Sequence, residues 1–428
     1  METISIIAAS LFCLGYLLIT LEQKFSTHKS AIALTLGGVL WLLTAVHLKG
    51  HETELDHALS HAGSEIFGIV AFLLAALALI EILVHYRLFD LIRAKLIRLN
   101  INDRQQFLVI IGMTFMMSAV LDNIAITIAM LQIARRFFTG KNMLIAAAGI
   151  VIAANAGGAW SPIGDVTTIL LWLAEKFTAT EIIRYAFFPS LALVVVAGLL
   201  LYRQLDETSF LKREQDDTLN LSRGEKLVIA TAMSSFIFPL LMSFVGLPPY
   251  MGLLLGLGIT WCVIEYAKHV SNGRNPTHMS ANIDKLIQTV DLSSVKYIMG
   301  ILLAVLALST LGVLSWASQA IVGSSPSETH LILTNIGLGF VSGIVDNASL
   351  VAIAIQTLPM ESPNLWALTA IAAGNGGSLM IIASAAGVVA MGSYKQLTVG
   401  DYFKVAALPA FLGLLAAFGV WYLQFILL

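Results

Sequence analysis

Lysine and arginine are missing from the interior of every long apolar run in this chain, and charged residues of either sign make up only 12% of it. A surface so poor in charge cannot cover a soluble globule. With 58% hydrophobic residues and a mean hydropathy of +0.86, the apolar runs are long enough to cross a bilayer many times. Cysteine is nearly absent. Cys13 and Cys262 both fall in apolar runs, which argues against a disulfide framework or a thiolate metal site and predicts two buried structural thiols. The net charge of -2 excludes the basic field that nucleic-acid binding needs. A signal peptide is not expected, because Glu2 stands where a positive n-region belongs and no clear small-residue cleavage site follows; residues 4–21 are therefore expected to remain as a span.

What the chain does contain is a series of spans. Beyond 4–21 they are expected at 31–48, 65–84, 143–174, 186–202, 227–246, 250–267, 297–316, 367–391 and 405–427, each near or above the length a helix needs. The fold class is an all-α polytopic membrane protein. Two further apolar segments, 107–131 and 331–357, carry nearly the same words 224 positions apart: Ser118-Ala-Val-Leu-Asp122-Asn123-Ile-Ala and Ser342-Gly-Ile-Val-Asp346-Asn347-Ala-Ser. An ionisable residue at membrane depth marks function, and a duplicated one points to a transporter built from two related halves with its site between them.

The basic residues set the expected topology. Segment 107–131 is preceded by Arg87, Arg93, Lys95, Arg98 and Arg104 and followed by Arg135, Arg136 and Lys141, so a simple span would put one of these loops outside. A re-entrant hairpin keeps both in the cytoplasm. If 331–357 is also a hairpin and both termini lie outside, only Lys49, Lys176 and Arg184 fall on the outer side. Each half then has five transmembrane helices and one hairpin. The odd count makes the halves, 1–202 and 227–428, inverted repeats joined by a charged cytoplasmic linker, 203–226. Residues 88–99 alternate basic and apolar side chains as an interfacial helix does. His47, His51, His57 and His61 are expected around a solvated outer loop, and Glu65 and Glu81 near the two ends of the third span.

A second pair of motifs follows the hairpins, Ala153-Ala-Asn155-Ala-Gly157-Gly158 and Ala372-Ala-Gly374-Asn375-Gly376-Gly377. Adjacent glycines weaken a helix by roughly 1 kcal/mol each, and Pro162 cannot donate its backbone hydrogen bond, so 143–174 and 367–391 are expected to be broken helices. Unwound backbone at this depth is tolerated only inside protein or beside water or an ion. Asp122 and Asp346 are placed at the hairpin tips and Asp165 just past the first break. Burial disfavours a bare carboxylate, so the cluster needs a proton or a small cation. The oxygens of Asn123, Asn155, Thr167, Thr168, Asn347 and Asn375 are hard ligands suited to a hard cation.

Residues 118–123, followed by Asn155-Ala-Gly-Gly-Ala-Trp-Ser-Pro-Ile-Gly-Asp165-Val-Thr-Thr168, resemble the signature of the NhaD-type sodium/proton antiporters of the ion-transporter superfamily, and the similarity extends over both halves. The resemblance implies export of Na+, and usually Li+, in exchange for H+ across a bacterial inner membrane, with pH homeostasis as the outcome and no cofactor. It implies an ion and proton pathway through Ser118, Asp122, Asn123, Asn155, Asp165, Thr167, Thr168, Ser342, Asp346 and Asn347, with Na+ held at Asp122, Asn123, Asp165, Asp346 and Asn347. It also implies a homodimer in the lipid bilayer, with a scaffold part and a moving part. Superposing the double glycines sets Asp165 opposite Ser384 and Thr167 opposite Ala386, so a lopsided site is expected.

Three rivals differ in class. A carrier of anionic substrates in the same superfamily would present Ser-Asn-Thr-type tips, whereas Asp at both tips repels a dicarboxylate. An intramembrane aspartyl protease would need Gly-x-Gly-Asp, but Pro162 occupies the first glycine position and the partner Tyr-Asp pair is missing. A passive Na+ channel would show ion flux uncoupled from protons.

Overall fold

The computed structural model of the chain describes residues 3–20, 28–99, 101–206, 221–270, 292–323 and 325–427, and every regular element among them is helical. The first half holds α1 (Thr3–Thr20), α2 (Lys29–His47), α3 (Glu52–His85), α4 (Leu88–Arg98), α5 (Asp103–Ser118), α6 (Asn123–Ala134), α7 (Gly140–Ala159), α8 (Val166–Leu173) and α9 (Ala179–Gln204). The second holds α10 (Arg223–Ser235), α11 (Phe238–Phe244), α12 (Pro249–Val270), α13 (Leu292–Thr310), α14 (Val313–Ile321), α15 (Glu328–Val341), α16 (Asn347–Thr357), α17 (Pro363–Gly376), α18 (Ala385–Ser393) and α19 (Val399–Leu427), with a 3-10 turn, Ile381–Ala383, before α18. Nine stretches among the described residues are long and apolar enough to cross a membrane, which makes the chain a multi-pass membrane protein. Most of the expected linker, residues 207–220, lies outside the described residues.

The helix starts have local causes. Asn102, Thr178 and Ser222 each close a capping box with the Gln or Glu three residues on. Four short helices instead begin within the apolar bundle, and each is capped by a residue of the motifs: Asp122 on α6, Asp165 on α8, Asp346 on α16 and Ser384 on α18.

Contacts define two ends of the molecule. Arg104 at the start of α5 donates to the Leu205 carbonyl (3.2 Å), and Lys141 at the start of α7 pairs with Asp206 (3.0 Å). Arg135, just past α6, donates to the Ser393 carbonyl. Thus α5 leaves this end and α6 returns to it. At the other end the Lys176 ammonium lies 5.0 Å from the centre of the Trp366 ring, Trp421 donates to the Asn364 carbonyl (3.2 Å), and Gln424 reaches the carbonyl of Arg184 (3.5 Å). The 26 residues of α9 run between the two ends, about 39 Å at 1.5 Å per residue. Helices α7 and α17, which precede the two breaks, therefore start from opposite ends.

Several expectations are corrected. The two helices stop at different places relative to their double glycines: α7 continues through Gly157 and Gly158 and unwinds at residues 160–165, around Pro162, whereas α17 ends at the pair, with Gly376 its last residue and Gly377 its C-cap. The glycines also serve close approach: a Cβ at Gly157 would collide with the Phe115 carbonyl, and one at Gly376 with the Gly339 carbonyl. Both cysteines are exposed on the outer surface of the chain rather than buried. His47, the last residue of α2, and His51, the N-cap of α3, flank a loop, whereas His57 and His61 lie within α3, which begins at Glu52, and Glu65 accordingly lies well inside this helix. The expected span 227–246 stands as one apolar stretch, Arg223–Phe244, with a short turn at 236–237 between α10 and α11, while 297–316 is interrupted at Gly312, whose φ of 70° is left-handed.

These contacts generate a labelling prediction. With Cys13 and Cys262 removed, Arg104→Cys and Lys141→Cys should both react with an impermeant thiol reagent from the same side of the membrane. Reaction from opposite sides would contradict the return of α6 to the end from which α5 departs.

Candidate ion site

At the first tip, Asp122 accepts a hydrogen bond from the Ile124 amide (3.0 Å), and the buried Ser118 donates to the Ala154 carbonyl (2.6 Å). These bonds tie the α5–α6 turn to the last turn of α7. Asn123 reaches Asn155 Oδ1 (3.4 Å), and Asn155 in turn donates to Ser378 Oγ (2.9 Å). A chain of amides thus crosses from the first half into the break of the second. Tyr402 fixes that break by donating to the Ser378 carbonyl (2.7 Å).

The unwound stretch 160–165 delivers Asp165, which is 2% exposed. Its Oδ1 receives the Thr167 amide at 3.5 Å, while Thr168 Oγ1 donates to the Asp165 carbonyl (2.9 Å). Asp165 Oδ2 and Thr167 Oγ1 are both buried with no hydrogen-bond partner among the described residues. They converge on one place, since a Cβ at Gly374 would stand 3.6 Å from Asp165 Oδ2 and 3.4 Å from Thr167 Oγ1. Asn375 Oδ1, on the next residue, is also buried and unpartnered, its amide nitrogen being spent on the Ile371 carbonyl (2.8 Å). The carboxylates of Asp122 and Asp165 interact electrostatically. Buried carboxylate and hydroxyl oxygens left in this way are satisfied by a proton or a small cation.

The second half repeats the frame with different chemistry. Ser342 donates to the Ala373 carbonyl at 2.6 Å, matching Ser118, and the virtual Cβ of Gly377 lies 2.8 Å from Ser384 Cβ much as that of Gly158 lies 2.7 Å from Asp165 Cβ. Ser384 thus occupies the cap position that Asp165 holds in the first half, as superposing the double glycines predicts. In the same superposition Asn155 faces Gly374 and Asn375 faces Ala156. Asp346 accepts from both the amide and the hydroxyl of Ser349 (3.1 and 3.2 Å), and Ser349 meets the Tyr297 hydroxyl at 2.8 Å. Asn347 is buried at the start of α16. Among the described residues no three acidic, histidine or cysteine side chains converge as a metal cage.

A cavity of about 280 Å³ reaches Asp122 and is lined by Glu81, Ala125, Ile128, Gln132 and Ser294. Glu81 thus lines the same cavity as Asp122. Sequence reasoning missed Ser378, Ser349 and Tyr297. The signal for Ser349 was present in Asp346-x-x-Ser349, a helix-cap spacing, whereas Ser378 and Tyr297 come from elements whose proximity no local pattern encodes.

Residues 16–374 match the citrate-transporter family, CitMHS. Sodium/proton antiporter 2 of Arabidopsis thaliana is 35% identical over 95% of this chain and 97% of its own length. The Na(+)/H(+) antiporter NhaD of Vibrio cholerae is 28% identical over 92% of this chain and 86% of its own. Among solved structures, the Alcanivorax borkumensis YdaH transporter, described as having an unusual topology, superposes with a TM-score of 0.59 at 13% identity, covering 92% of this chain and 98% of that one. The chain is a multi-pass secondary transporter rather than an enzyme, and it belongs to the citrate-transporter family and, within it, to the NhaD-type sodium/proton antiporters.

Proposed function

We propose that this chain exchanges Na+, and Li+ through the same hard ligands, for H+ by competition at Asp122 and Asp165. The observation that carries this reading is the buried, unpartnered pair Asp165 Oδ2 and Thr167 Oγ1 beside Gly374, with a second carboxylate in electrostatic reach. Neither α6 nor α8 contains Lys or Arg, so no fixed cation on these helices competes for the site. A ligand shifts a conformational equilibrium only through unequal affinity for the two states, and two ligands that share the same carboxylates exclude one another. Proton and cation therefore drive the same change in opposite senses.

A dicarboxylate, which the family name suggests, fits less well. Helix N-termini bind anions when their amides are free, but here Asp122 and Asp346 already occupy the amides of α6 and α16 with the chain's own negative charge. The same contacts support two inverted repeats with re-entrant hairpins at 107–131 and 331–357. By the positive-inside rule, the end carrying Arg104, Arg135 and Lys141 is cytoplasmic and both termini lie outside. A bacterial inner membrane and a homodimer with a fixed scaffold complete the proposal.

Asp122→Asn keeps shape and removes charge. In everted vesicles from a strain without other antiporters, Na+ at alkaline pH should collapse an acid-inside gradient with the native protein and leave it intact with the variant at equal membrane abundance. Native-like exchange by Asp122→Asn would make this carboxylate structural.

The cap positions should also be unequal. Asp165→Asn should weaken apparent Na+ affinity at least about tenfold, equivalent to 1.4 kcal/mol, whereas Ser384→Ala should have a much smaller effect. Comparable losses measured in the same vesicles would contradict the lopsided site.

A further inference from the structure

The 224-residue offset that relates Asp122 to Asp346 also relates the walls beside them. Ile124, Ala125, Ile128 and Gln132 line the open cavity at Asp122. Their counterparts are Ala348, Ser349, Ala352 and Gln356. Three of these, Ala348, Ser349 and Ala352, face Tyr297, Ile298 and Ile301 of α13 across a seam too tight to admit a water molecule. Hydrogen bonds join the seam along its length: Tyr297 to Ser349 (2.8 Å) at one end, with Ser349 passing the contact on to Asp346, and Ser309 to Gln356 (3.1 Å) at the other. Tyr297 is 3% exposed and Ser349 fully buried. The Tyr16 hydroxyl of α1 is also buried and interacts electrostatically with Asp346. Ser349 stands where the first half has Ala125, so the first half has no hydroxyl at that position to make the same bond. One tip therefore borders a water-sized space, while the helix face that follows the equivalent tip is packed tight and held by hydrogen bonds.

We propose that the α13–α16 seam is the closed counterpart of the Asp122 cavity, and that Tyr297, acting through Ser349, is a positioning residue that latches the seam to Asp346 and must let go when the site opens to the other side. A buried hydroxyl that bridges α13 to the side chain holding a carboxylate can bias two states by its one hydrogen bond, because a bond made in only one state stabilises only that state. The proposal deepens the antiporter reading and rests on it for its functional consequence, though not for its geometry.

The test pairs equivalent positions. In a background without Cys13 and Cys262, Ile128→Cys should react readily with a small membrane-permeant methanethiosulfonate and Ala352→Cys slowly. Adding Tyr297→Phe should speed labelling of Ala352→Cys by roughly 3- to 10-fold, the factor expected for one hydrogen bond. In vesicles, Tyr297→Phe should raise the half-saturating Na+ concentration with membrane abundance unchanged. Ser349→Ala should do the same, and the double variant should add nothing further. Equal reactivity of the two cysteines in the native background, or unchanged labelling and half-saturation in both single variants, would overturn the latch. If native protein labels as expected but moves no Na+, the antiporter reading fails and the seam stands.

Discussion

Everything central in this protein depends on helices that begin within its apolar body and are capped by its own side chains. The first amides of α6, α8, α16 and α18 have no partners within their own helices, and in an apolar interior each unmet N–H is costly. Side chains of the chain itself meet that need: Asp122, Asp165, Asp346 and Ser384. A carboxylate brings two oxygens to a task that one can do. At Asp165 the spare oxygen is left buried beside Thr167 Oγ1, with no hydrogen-bond partner among the described residues.

The two halves share a frame and differ in charge. Serine 118 and serine 342 make the same 2.6 Å bond to the following helix, and the paired glycines allow the same close approach. Yet Ser384 stands where Asp165 stands, and Gly374 where Asn155 stands. Gly374 in turn leaves room for Asp165 and Thr167 of the other half, so the absence of a side chain in one repeat makes space for the ligands of its partner. Asn155 crosses in the opposite direction to reach Ser378. The site is thus built at the junction of the halves rather than within either one.

Much of this was legible in the sequence because the signals were local or repeated. The absence of Lys and Arg from the apolar runs gave the membrane class, the Asp-Asn words gave the tips, and the superposed glycines gave the Asp165–Ser384 pairing. Glycine propensity alone did not locate the first break: packing of α5 against Gly157 keeps that residue helical and the break falls at Pro162 and its neighbours, whereas in the second half α17 does end at the glycine pair. The long α3 was misjudged because the polar turns of residues 52–64 look like loop by hydropathy while still forming helix. Cys13 and Cys262 sit in apolar runs whose faces point outward, and hydropathy does not distinguish a helix face turned to protein from one turned to lipid. Tyr297 and Ser378 are ordinary residues made special by neighbours far away in sequence.

The central claim is that one pair of carboxylates carries both ions. Purified protein in weakly buffered detergent solution, titrated with Na+ near neutral pH, reports on this directly through the protons it releases. Competition at Asp122 and Asp165 predicts proton release that saturates with Na+ and is lost in Asp122→Asn and Asp165→Asn. Saturable Na+ binding to the native protein with no proton release would contradict it.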